Sequence, residues 1–101
     1  MMSKPFYSDY VRHMLRFYSR NTNPLQTFKS DVDKENWIAC NRAIRSYSDR
    51  DKNILICVYG GYDTLPDNVY EMANKHSINQ SIIWDMMKDF EHRVAKQRKL
   101  I

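Results

Sequence analysis

The sequence predicts an all-α fold of about five helices, with an N-terminal helical pair packed on a C-terminal unit of three. Three observations predict it. Apolar residues recur at spacings of three and four, the period of a helix with one buried face. Serine, threonine or asparagine stands just before each of the later apolar segments, where a side-chain oxygen can accept from the first unpaired helix amides. The one β-rich stretch, ILICVY at 54–59, follows such a start signal and has no second strand-like run to pair with, so it reads as helix. A chain of 101 residues suits one domain with a small core, divided as 1–47 and 48–101.

Ser8 opens the first helix, with Tyr10, Met14, Phe17 and Tyr18 on one face and Arg12, Arg16 and Arg20 as a basic stripe on another. NTNPLQT ends it, because Pro24 forces Asn23 into an extended conformation. Ser30 with Asp33 forms a start signal like a capping box. The helix after it turns Trp37, Ala43, Ile44 and Tyr47 inward, with Ile38 and Cys40 near the edge of the core. Ser48 with Asp51 repeats the signal ahead of DRDKNILICVYG. Gly60 and Gly61 stop that third helix, since glycine accepts the left-handed cap conformation. Thr64 caps a fourth helix that carries Pro66 in its first turn, where a missing amide costs nothing. Asn79 or Ser77 caps the fifth, which runs to about Arg98.

Charge is distributed unevenly around a formal net of +4. Residues 1–29 are net +4, residues 30–87 net −3, and residues 88–101 net +3. Basic ends around a mildly acidic middle suit a polyanion touched by both termini, or equally two solvated helices. Cys40 and Cys57 sit among apolar neighbours and read as buried free thiols in a reducing cytoplasm. The first residues, MMSKPFYSDYVRHML, have no continuous apolar core or small-residue cleavage site, so no secretory signal is expected. No apolar run is long enough for a membrane span. His13, His76 and His92 are scattered and there is no CxxC, so no metal site is expected. With only two glycines there is no phosphate loop. No nucleophile–base pair stands out by spacing either, so neither an enzyme nor a cofactor is expected.

The stretch 65–88, LPDNVYEMANKHSINQSIIWDMMK, is the most specific feature. Ala73 is small where two helices would cross, Ser77 falls at the turn, and Ile78 and Ile83 would tie the second helix to the first. This is the spacing of a helix-turn-helix. Together with DRDKNILICVYG, the segment TLPDNVYEMANKHSINQSIIWDMMKDFEHRV resembles region 4 of bacterial sigma factors and related small regulators, over roughly the C-terminal half. His76-Ser77-Ile78-Asn79 stands at the family's Gly-Ile-Ser-like step, with Ser77 in place of the usual glycine. The whole chain is more loosely similar to short uncharacterised proteins of bacterial phages and mobile elements. The resemblance implies a DNA-binding transcription regulator whose partners are duplex DNA and RNA polymerase.

On the fifth helix Ile83, Met86, Met87, Phe90 and Val94 form the inward stripe. Asn79, Gln80, Ser81, Trp84, Lys88 and His92 take outward or flanking places. Asparagine and glutamine pair with adenine edges, and serine bonds to a base or a phosphate. Arg93, Lys96, Arg98 and Lys99 follow as phosphate contacts, joined by Arg12, Arg16 and Arg20 of the first helix. Against this, Asp85 is on the exposed side, and residues 65–88 are net −1. Trp84, Met72, Met86 and Met87 also read as core at helical spacing. Tyr7, Tyr10, Phe17 and Tyr18 are candidates to dock on the three-helix unit or on a second copy of the chain in a homodimer. The alternative function is a helical protein-interaction module, such as a phage or mobile-element inhibitor of a host nucleic-acid machine.

Overall fold

Side-chain oxygens start four of the five helices in the computed structural model, which describes residues 5–23 and 27–101. The elements are α1 (Ser8–Arg20), α2 (Asp31–Ile44), α3 (Asp49–Gly60), α4 (Leu65–His76) and α5 (Gln80–Gln97). Ser30 Oγ accepts from the Asp33 amide at 3.2 Å, Ser48 Oγ from Asp51 at 3.2 Å, and Thr64 Oγ1 from Asp67 at 3.3 Å. Asn79, not Ser77, caps α5, its Oδ1 accepting from Ser81 at 2.9 Å. The 54–59 stretch is helical, as its start signal requires. α1 ends at Arg20, ahead of Pro24, which itself lies outside the described residues.

α1 opens at Ser8, as expected, but without a side-chain cap: Tyr7 holds the cap position with no side-chain bond, and the Ser8 hydroxyl is buried and turned inward. The end of α3 differs from the sequence expectation. Gly61, which follows α3, is extended at φ −64°, ψ 157°, and no described glycine has a positive φ. Its need for glycine is steric instead. A Cβ there would lie 2.6 Å from Asn68 Nδ2, and the buried Asn68 amide donates to Val58 O at 2.9 Å.

The left-handed positions are taken by non-glycine residues, Ser77 at φ 55° and Lys99 at φ 58°. Each closes a helix with a pair of backbone bonds. The Ile78 amide donates to Ala73 O at 3.0 Å and the Leu100 amide to Ala95 O at 2.8 Å. The Ser77 and Lys99 amides donate to Asn74 O and Lys96 O. This is the Schellman closure, which an L-residue adopts at a cost of about 1–2 kcal/mol.

One continuous core draws on all five helices. α1 lies chiefly against α3 and also meets α2 and α5; α2 packs on α5; α4 packs on α3 and α5. The N-terminal pair, α1 and α2, thus packs on the C-terminal unit through α3 and α5. Val11, Leu15, Ile54, Leu55, Val58, Val69, Ile83 and Val94 are fully buried. Burying each such side chain contributes about 1.5–3 kcal/mol before ordering entropy is counted. The inward face of α1 is Val11, Met14, Leu15 and Tyr18, whereas Tyr10 and Phe17 are exposed. Cys40 lies in the centre of the core, not at its edge. Among the described residues, no helix is long and apolar enough to cross a membrane.

Candidate nucleic-acid interface

The turn Ser77–Asn79 sets the start of α5 against the end of α4. Ser77 reverses the chain in the left-handed conformation, Ile78 packs on the core, and Asn79 caps α5. Ile83, Met87, Phe90 and Val94 are buried along α5, with Met86 and Trp84 half-buried at the margins. The Trp84 ring is thus partly used in packing. Successive residues turn by 100°, so Ser81, Asp85, Lys88, His92 and Lys96 follow one exposed line along the helix. At 1.5 Å per residue, the 18 residues of α5 span about 27 Å. Asn79, Gln80 and Ser81 are all exposed at its N-terminus, where unpaired amides and the helix dipole favour an anion.

The nominated cations divide into two groups. Lys88, Lys96 and Lys99 are exposed, and no described carboxylate pairs with them. Arg16 is exposed and lines a cleft with Asp9, Arg12 and His13 beside the start of α4. The remaining four are engaged within the molecule. Arg20 donates from Nε to Gly60 O and from a terminal nitrogen to Gly61 O, both at 3.1 Å, and its guanidinium lies 4.2 Å from the Tyr62 ring centroid. It thereby satisfies the carbonyls at the end of α3. Arg93 bonds Asp89 at 2.9 Å and Ser46 Oγ at 2.8 Å. Asp89 also accepts from the Tyr47 hydroxyl, and burial, followed by this bond, raises the Tyr47 pKa above its usual value. Arg98 donates to Asn36 Oδ1 at 2.7 Å and pairs with Glu35 at 3.4 Å. Arg12 is held by Glu91. The α1 stripe is therefore a periodicity of sequence more than a shared exposed surface.

Glu91 is the polar centre that sequence reasoning missed. It is 4% exposed and accepts three hydrogen bonds: from Ser8 Oγ at 2.8 Å, Arg12 Nε at 3.0 Å and Tyr59 OH at 2.6 Å. A buried carboxylate is tolerated only when paired and fully bonded. Here α1 supplies two donors and α3 the third, so one side chain of α5 fixes both helices. Burial, then the Glu91 charge, holds the Tyr59 pKa well above its ordinary value and keeps the phenol a donor. A signal for Glu91 was present in its register. It falls four residues after Met87 and three before Val94, inside the apolar stripe.

Among the described residues no group of histidine, cysteine and carboxylate side chains is arranged to hold a metal ion. Comparison with protein-family models, curated proteins and solved structures gives no match.

Proposed function

We propose that the chain is a DNA-binding regulator in which α4 supports α5 and the N-terminal end of α5 reads base edges. One observation carries this reading: a three-residue turn joins two packed helices and leaves Asn79, Gln80 and Ser81 exposed together at the capped start of the second. Amide and hydroxyl groups there have the donors and acceptors that adenine and phosphate require. Lys88 and Lys96, further along the exposed line, are suited to backbone phosphates. The resemblance to sigma region 4 supports the same docking, with transcription as its context and RNA polymerase as a second partner.

The test is duplex binding over a salt series, followed by Gln80→Ala and Lys96→Ala. Gln80→Ala is expected to relax sequence preference. Lys96→Ala is expected to weaken all sequences alike and to lower the salt slope by about 1. No binding to pooled random duplexes at low salt would overturn the reading.

A second reading, a helical module that docks on another protein, is favoured by apolar side chains exposed on the same two helices. Tyr70 on α4 is 56% exposed and Ile82 on α5 is 47% exposed. Glu71 and Asp85 are exposed on the same helices and make this region less attractive to phosphate. A stoichiometric protein recovered with the chain from a nuclease-treated bacterial lysate, released by Ile82→Asp, would favour this reading.

A further inference from the structure

Arg42 belongs to no motif in the sequence, yet it shares a cleft with the end of α5. The cleft encloses about 450 Å³ between α2 and the close of α5, and is lined by Glu35, Ile38, Ala39, Arg42, Gln97, Arg98 and Lys99. We propose that this cleft holds nucleic-acid backbone phosphates, with Arg42 and Lys99 as the direct contacts and Arg98 as a positioning residue. The inference rests on the DNA-binding reading above and extends it to a second site.

The charge balance is the first support. Three cations face one carboxylate, and that carboxylate, Glu35, is taken by Arg98 at 3.4 Å. No described carboxylate pairs with Arg42 or Lys99. Two uncompensated positive charges beside the apolar walls of Ile38 and Ala39 concentrate a positive potential in a concave site. Arg98 is fixed by its bond to Asn36 Oδ1 at 2.7 Å, so one wall of the cleft is preorganised.

Backbone strain is the second support. Lys99 occupies a left-handed position at φ 58°, where glycine is the favoured residue. A lysine kept in a sparsely populated conformation at the rim of a cationic cleft points to a use for its side chain.

Length is the third support. α5 spans about 27 Å, while the major groove is about 12 Å wide. A helix set across the groove, with its first turn reading bases, carries its far end out of the groove and over the flanking backbone. Phosphates, not bases, are the chemistry available there.

The experiment measures binding of the full chain to a pooled random-sequence duplex by fluorescence anisotropy, between roughly 50 and 200 mM salt. Arg42→Ala and Lys99→Gly are compared with the unaltered chain, with thermal midpoints measured in parallel. Each lost phosphate contact reduces the salt slope by about 0.9, which corresponds to roughly eightfold weaker binding near 0.1 M salt. Both variants are expected to show this loss, and Lys99→Gly to show it while its thermal midpoint rises. A gain of stability with a loss of binding separates a ligand contact from a structural role. Unaltered affinity and slope in both variants, with the parent chain binding normally, would overturn the cleft and leave the α5 reading standing. Absence of binding by the parent chain would overturn both.

Discussion

Replacing Glu91 with alanine removes the one acceptor shared by Ser8, Arg12 and Tyr59. Two of these donors cannot turn to water, since Ser8 is 1% exposed and Tyr59 is 2% exposed. Each hydroxyl left buried without a partner costs about 1–3 kcal/mol. The Arg12 side chain is 30% exposed and can reorient towards solvent, so its share is small. The cavity left by the side chain adds to the loss. Together these give about 3–5 kcal/mol, the range for breaking a buried charged pair. Glu91→Gln keeps an acceptor but sets an amide N–H₂ among donors, and about 2 kcal/mol is expected. Tyr59→Phe removes one bond to a charged acceptor, for about 1.5–3 kcal/mol. Urea unfolding followed by far-UV circular dichroism, with m-values compared, gives all three numbers. Typical domains are stable by only 5–15 kcal/mol, so Glu91→Ala should shift the urea midpoint by a large fraction of its value. Losses below about 0.5 kcal/mol in all three variants would refute the view that Glu91 pins α1 and α3 to α5.

The remaining expectations are smaller or more local. Ser77→Gly relieves a left-handed serine and should raise stability by about 1 kcal/mol in the same urea assay; a loss would mean that the serine side chain is needed at the turn. Tyr59 has a raised pKa in the folded state, so the native protein keeps a proton that the unfolded chain gives up. Stability should thus hold below the usual tyrosine pKa of about 10 and fall as pH rises above it, an alkaline limb that Tyr59→Phe should flatten. Burial pushes the Cys40 thiol up to about 12 and buries it completely, whereas Cys57 is partly accessible. A thiol reagent should therefore modify Cys57 in the native protein and reach Cys40 only after denaturation, and equal rates at the two would contradict the packing.

Much of the fold is legible in the sequence because its signals are local. Ser30, Ser48, Thr64 and Asn79 each accept a nearby backbone amide, within the reach of sequence reasoning. The inward stripe of α5 follows from spacing alone. What was not legible depends on contacts between distant elements. In α1 the large rings of Tyr10 and Phe17 suggested the wrong face, while Val11 and Leu15 are the residues that meet α3 and its neighbours. Gly61 was expected in a left-handed cap, but its role is set by Asn68, which approaches from α4. Arg20 and Arg98 recur as if for a solvent stripe, yet the partners that hold them lie 40 or more positions away along the chain. Glu91 becomes intelligible only when Ser8, Arg12 and Tyr59 are brought around it. At the candidate interface, Asn79, Gln80, Ser81, Lys88 and Lys96 could be placed from helical periodicity. Arg42 could not, because its cleft forms only when α2 packs on α5.

The most direct test of DNA binding through α5 is the affinity of the full chain for pooled random duplexes as salt is raised from roughly 50 to 200 mM. A duplex held by Lys88, Lys96, Arg42 and Lys99 should give a logarithmic slope near −4, about 0.9 for each phosphate contact, and Lys96→Ala should bring it to about −3. A flat salt dependence, or no measurable binding at the lowest salt, would contradict it.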